Sequence, residues 1–225
     1  MYCLTRSSRS VDIVLKKLPL AVKPTDTDLA YIRDRQLMFR LLTGVIAMDG
    51  TRCRHGYVRV IVRHPYLKYL HTGMPRLTCP HLVKEIDKLE ASQGVKRYNA
   101  ILAANEDLQE NFRETMKEWN DILKSVLTDE DIERCRDQIG RGNTDSRLNV
   151  GLIGISMNKY DDVKCLHANV ADYLLRGKNK IGKLVLDELE QSSVNTSGCD
   201  GKINILFLFI RYKLRLCDER MLAAV

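Results

Sequence analysis

The chain has 225 residues, 44% hydrophobic and 29% charged, with a formal net charge of +7. That length and balance suit an ordinary globular domain, or two small ones, rather than a membrane protein. The longest apolar run, residues 203–210, falls far short of the roughly 18 residues that a spanning helix needs.

The charge is uneven. Residues 1–80 carry 14 Lys or Arg against five Asp and no Glu, residues 81–150 carry 11 against 15 acids, and residues 151–225 carry 11 against nine. A basic first third beside an acidic middle marks a surface for nucleic acid or an acidic partner, or else two faces of one domain that attract each other. The seven cysteines are odd in number, in a long chain without a visible secretory signal. Reduced thiols and an intracellular, cytoplasmic protein are therefore expected. Residues 1–23 hold Arg6, Arg9, Lys16, Lys17 and Lys23 with Asp12 as their acid. They read as a basic N-terminal extension, either an organellar transit peptide or a disordered start.

From residue 24 the pattern becomes regular. Asp26 and Asp28 sit where a helix begins, and Leu29, Ile32, Gln36 and Leu37 follow at helical spacing. Residues 41–48 form an apolar run consistent with a strand, and Asp49-Gly50 behind it is a short hairpin signal. The return strand is predicted over residues 53–63, with Val58, Val60 and Val62 on one face and Arg59 and Arg63 on the other. Residues 64–75 read as loop. Leu77-Thr78-Cys79-Pro80 then opens a helix with Pro80 at its first position, a stripe of Leu82, Val83, Ile86 and Leu89, and an end near Gly94.

Asn105 is placed to cap a longer helix whose Leu108, Phe112, Met116, Trp119 and Leu123 repeat as a core stripe. Thr128 and Asp131 form a capping-box pattern for the next helix, ending near Gly140. Residues 140–156, rich in Gly and Asn, read as loop. Asp161 or Asp162 is predicted to cap a helix that carries Cys165 and His167 and stops at Gly177, with further helical turns over residues 182–190. The expected fold is α+β: a mostly helical single domain with a small N-terminal β-hairpin, covering residues 26–190 and followed by a C-terminal tail at 192–225.

Three motifs together resemble a known family. Arg52-Cys53-Arg54-His55-Gly56-Tyr57 precedes a valine-rich strand, and Leu77-Thr78-Cys79-Pro80 leads to Leu89-Glu90-Ala91. Val150-Gly151-Leu152-Ile153-Gly154-Ile155 leads to Val163-Lys164-Cys165-Leu166-His167-Ala168 and on to Gly177-Lys178-Asn179-Lys180-Ile181-Gly182. In order and spacing these resemble the mainly bacterial family catalogued as domain of unknown function 501. The resemblance implies no activity. Val58 stands where that family usually has Pro, and Pro75 and Arg76 interrupt a strand that is aromatic in the family.

Matching residues to the family motifs selects Cys53, Cys79, Cys165 and His167 as a candidate metal set, chemically suited to tetrahedral zinc though not at the familiar paired-cysteine spacing. Residues two apart on a helix point in nearly opposite directions. Cys165 and His167 can therefore share an ion only if the helix begins later than Asp161 or Asp162 would start it. Otherwise the cysteines are small buried hydrophobes. A thiol-dependent enzyme is the second function: Lys164 beside Cys165, or a helix start at Cys79, would favour a thiolate. A nucleic-acid or acidic-partner module is the third, using Arg52, Arg54, Arg59 and Arg63 with Lys68 and Arg76, interleaved with Tyr57, Tyr66 and Tyr69. Gly151 and Gly154 read as turn residues, since their spacing makes no dinucleotide fingerprint.

Overall fold

A computed structural model of the chain describes residues 4–37, 43–152, 155, 157, 161–192 and 194. Gly154, the start of the strand expected at 41–48, and nearly all of the tail at 192–225 lie outside the described residues. Among the described residues the fold is α+β and mostly helical, built on a four-stranded antiparallel sheet of order β1-β2-β3-β4. The strands are β1 (Ala21–Val22), β2 (Val45–Asp49), β3 (Val60–Arg63) and β4 (Pro75–Leu77). Helix α1 (Leu4–Lys17) precedes the sheet, and α2 (Asp26–Tyr31) runs into a π-helical turn, Ile32–Gln36, between β1 and β2. The helices after the sheet are α3 (Pro80–Ala91), α4 (Gly94–Ala103), α5 (Glu106–Val126), α6 (Asp129–Ile139), α7 (Arg141–Leu148), α8 (Leu166–Arg176) and α9 (Lys180–Gln191). Among the described residues no helix is long and apolar enough to cross a membrane.

The period-two alternation of β3 explains how the sheet is covered. Val60 and Val62 point into the main core, which α1, α5 and α8 share, while Ile61 points the other way onto Ile32, Met48 and Val58. Thus the sheet is apolar on both faces, with α8 packed on β2, β3 and β4. Pro75 and Arg76, which break the family's strand pattern, lie in β4 at the sheet edge, paired with Val62 and Ile61. A proline is tolerated there because an edge strand has a side without ladder bonds.

The expected two-stranded hairpin is corrected in three respects. Asp49-Gly50 does not form a tight turn, because the Asp49 carboxylate is buried and organises the loop behind it. Asp49 accepts bonds from the Thr51 N–H at 2.9 Å, the Thr51 hydroxyl at 2.6 Å and Arg59 Nε at 3.0 Å. Arg59, expected on the face opposite the valines and as part of a basic binding surface, is therefore buried in an ion pair and also donates to the Thr51 hydroxyl. Gly50 instead donates its N–H to Leu20 O at 2.8 Å, and Ala21 pairs with Asp49, so the segment after α1 supplies an extra strand. Val11, Val14 and Leu18 lie in the main core, so the stretch read as a basic extension contributes a packed helix.

The long central helix follows its sequence pattern. Leu108, Phe112, Met116, Trp119 and Leu123 are all buried, Asn105 caps α5 at Leu108 N, and Thr128 with Asp131 forms the capping box of α6. Asp172 of α8 anchors the other side of α5. It accepts Trp119 Nε1 at 2.7 Å, Arg176 Nε at 2.5 Å and Nη2 at 2.7 Å, and Asn179 Nδ2 at 2.9 Å.

Candidate functional site

Helix α3 begins at Cys79 and Pro80, and buries Leu82 and Ile86. Val83, Asp87 and Glu90 are spaced i, i+4, i+7, so they form one ridge along its flank. That ridge faces the start of α8. Asp161 and Asp162 do not cap α8: both are exposed, and Asp162 pairs with Lys164 at 3.0 Å. The N-cap residue is Cys165, in extended conformation with φ −152 and ψ 122, and its own side chain caps nothing. The open N–H of Leu166 is taken by a neighbour: Glu90 Oε1 accepts it at 2.7 Å. A carboxylate at this end is favoured by the unpaired N–H groups and the helix dipole.

The later helix start removes the objection to Cys165 and His167 acting together. Because Cys165 is extended and His167 is in the first turn, the two side chains converge, with Sγ 3.8 Å from Nδ1. His167 Nδ1 lies 3.2 Å from Glu90 Oε1, and Nε2 lies 3.2 Å from Val83 O and 3.4 Å from Asp87 Oδ1. The ligand atoms of Glu90, Cys165 and His167 all lie within 4.8 Å of one another.

This geometry fixes the imidazole's chemistry. Val83 O can only accept, so Nε2 carries a hydrogen. Nδ1 then faces the Glu90 carboxylate, which would repel a bare lone pair and favours a hydrogen on Nδ1 as well. Burial works against the imidazolium, but the bonds to Cys165 and Glu90 outweigh it and raise His167 to about 10. Burial likewise pushes Glu90 upward, while His167 and the Leu166 N–H more than reverse this and hold it below its ordinary value.

A pH dependence follows. His167 is raised from 6.5 to about 10, so its contribution to stability is complete below 6.5 and lost as the pH rises towards 10. Glu90 is lowered from 4.5, so its contribution is present above that pH and lost as the pH falls through the folded value. Metal-free protein is expected to gain most from this pair between about pH 4.5 and 6.5. Urea midpoints measured across pH would check it: His167→Ala should flatten the decline on the alkaline side.

The other candidate residues are placed differently. Cys53 and Cys79 are not part of the convergent group, so the proposed four-ligand set is not assembled. Cys53 is buried in the β2–β3 connection, where its N–H donates to Tyr57 O at 2.9 Å, and Cys79 is buried at the start of α3. Glu90 completes the group instead. Spacing did not point to it, and only the Leu89-Glu90-Ala91 motif carried a signal. Among the basic residues, Arg52 pairs with Asp28 through bonds of 2.6 and 2.8 Å, and Arg59 with Asp49. Arg63 Nε donates to Thr43 O at 3.3 Å, while Arg54 is exposed beside His55. Tyr57 is stacked on Tyr31 with centroids 4.0 Å apart, Tyr66 is buried, and Tyr69 is exposed. Three of the four guanidiniums and two of the three rings are thus engaged within the domain.

No curated protein and no solved structure matches the chain. A family described as "protein of unknown function" (DUF501) matches residues 49–187, a span that takes in β3, β4, both helices of the Glu90–Cys165–His167 cluster and most of α9. Since that match covers more than half of the chain and all three motifs, the protein belongs to the DUF501 family.

Proposed function

We propose that the domain binds a transition-metal ion of the zinc class through Cys165 Sγ, His167 Nδ1 and Glu90 Oε1. The observation that carries this reading is the spacing of the three donors. Zn–N near 2.0–2.1 Å and Zn–S near 2.3 Å in a tetrahedron put neighbouring ligand atoms about 3.3–3.6 Å apart. The nitrogen–oxygen and sulfur–nitrogen separations here are 3.2 and 3.8 Å. The donor types suit a borderline-soft ion and disfavour magnesium or calcium, which take oxygen ligands. The Nε2–H held by Val83 O and Asp87 supplies the outer support that orients a metal-binding imidazole.

Cobalt(II) tests this directly. Metal-free protein is expected to acquire visible d–d bands and a near-ultraviolet sulfur-to-cobalt band, with zinc displacing both. Cys165→Ser should remove the sulfur band, and His167→Ala should weaken binding. Folded wild-type protein that takes up neither cobalt nor zinc at micromolar concentrations would sink the reading.

A thiol nucleophile is the second reading, favoured by Cys165 at the N-cap of α8 with an imidazole beside it. It is the weaker one. Glu90 Oε1 competes with Cys165 Sγ for Nδ1, although Asp87 Oδ1, 3.4 Å from Nε2, stands where the orienting acid of a nucleophile–histidine–acid relay would. Iodoacetamide labelling against pH separates the two: a nucleophile would label fast at neutral pH, and saturating zinc would leave that rate unchanged.

A further inference from the structure

We propose that Asn99 and Asn169 are positioning residues for the Cys165 thiol, clamping the segment that carries it from both sides; this rests on the metal-binding reading above. The clamp is needed because Cys165 is not held by a helix. It lies just before α8, at the end of a segment that follows exposed Asp161 and Asp162. Its sulfur can meet a metal at fixed geometry only if the backbone on both sides is fixed.

Asn99 holds the upstream side. From α4 its Oδ1 accepts the Val163 N–H at 2.7 Å and its Nδ2 donates to Val163 O at 3.0 Å. One amide side chain thus satisfies both backbone groups of Val163, as a neighbouring strand would, and the Val163 side chain is fully buried. Asn169 holds the downstream side. Its Nδ2 donates to the carbonyl of Cys165 itself at 2.8 Å. Its Oδ1 accepts Asn179 Nδ2 at 3.0 Å, and Asn179 in turn donates to Asp172 and accepts the Gly182 N–H at 2.8 Å. Asn169 and Asn179 are each 1% exposed, so these bonds have no competing solvent. Rotating the Asn169 amide would break bonds at both its ends. The Cys165 carbonyl is therefore tied through Asn169 and Asn179 to the Asp172 cluster, and Val163, two residues upstream, is tied through Asn99 to α4.

The test uses full-length protein, cobalt(II) and zinc(II), with Asn99→Ala, Asn169→Ser and a control, Asn120→Ala. Asn120 is also a buried asparagine clamping backbone, bonding Leu148 O and Val150 O at 2.8 Å each, but it has no bond to the Cys165 segment. Removing an outer support of a metal ligand typically lowers affinity about 10–100-fold. Asn99→Ala and Asn169→Ser should each weaken zinc binding by that factor and move or broaden the sulfur-to-cobalt band. Asn99→Asp keeps the acceptor for the Val163 N–H but sets a carboxylate oxygen against Val163 O, so it should not restore the affinity. Asn120→Ala should destabilise the fold yet leave affinity and band unchanged. If Asn169→Ser does not fold, Asn99→Ala, at a half-buried site, decides. Folded Asn99→Ala with wild-type affinity and band overturns the clamp while leaving the metal site intact. A fall in affinity no larger than that of Asn120→Ala overturns it too. Wild-type protein that binds no metal overturns both.

Discussion

Asp172→Ala is expected to cost about 3–5 kcal/mol of unfolding free energy, the range found when one partner of a buried charge pair is removed. Asp172 is fully buried and accepts four hydrogen bonds from three residues on α5, α8 and beyond the α8 C-cap. Its loss leaves the Trp119 indole N–H and one Asn179 N–H without their acceptor, each costing about 1–3 kcal/mol when buried. It also leaves the Arg176 guanidinium, whose side chain is 2% exposed, with Glu118 as its remaining charged partner. Asp172→Asn keeps an acceptor for Trp119 and should lose less. Urea denaturation followed by the fluorescence of Trp119, the chain's single tryptophan, reads both the stability and the environment of the indole. A loss below about 1 kcal/mol, the net worth of one ordinary hydrogen bond, would show that this network does not hold α5 to α8.

The same network shows what the sequence does and does not disclose. The five-residue stripe of α5 was readable because its apolar residues recur at helical period whatever surrounds them, and the caps at Asn105 and Thr128 because they act within four residues. The start of α8 was not readable. Cysteine is an uncommon N-cap, and two aspartates upstream offered a better one; the capping group is Glu90, on another helix and 76 residues away. That contact exists only after α3 and α8 pack. Helix α7 was hidden for a different reason. Gly142, Asn143 and Thr144 have weak helix propensity, yet Thr144 is buried against the domain. The Asp49-Gly50 signal misled because it is local: it marks a turn when Asp49 faces solvent, and here Asp49 pairs with Arg59 inside the protein. Spacing rules for a metal site failed likewise: of the three groups that converge, Cys165 and His167 lie two residues apart and Glu90 comes from a separate helix, so no short pattern contains all three.

Gly182→Ala should be nearly as damaging, at about 3 kcal/mol, the upper part of the range for overpacking a tight interior. A Cβ there would lie 2.1 Å from Asn169 O, 2.7 Å from its carbonyl carbon and 2.8 Å from Tyr173 Cβ. Two of these atoms are backbone in the middle of α8, so no side-chain rotation relieves the clash and α9 must move away from α8. Gly182 is therefore glycine for close approach. Gly151, read from its spacing as a turn residue, is held by the same constraint: its Cβ would meet Met116 O at 2.8 Å. Gly142 is the contrasting case, with nothing within 4 Å of an added Cβ and a helical setting in α7. Gly142→Ala should be neutral or stabilising by up to about 1 kcal/mol, because alanine loses less backbone freedom on folding. Since Asn169 is the residue that Gly182→Ala would displace, the variant should also weaken zinc binding, by disturbing the bond from Asn169 to the Cys165 carbonyl. Thermal unfolding and a zinc titration on the same preparations would check the pair. A Gly182→Ala protein as stable as wild type would mean that the α8–α9 contact is looser than the structure places it, and the downstream half of the clamp on Cys165 would loosen with it.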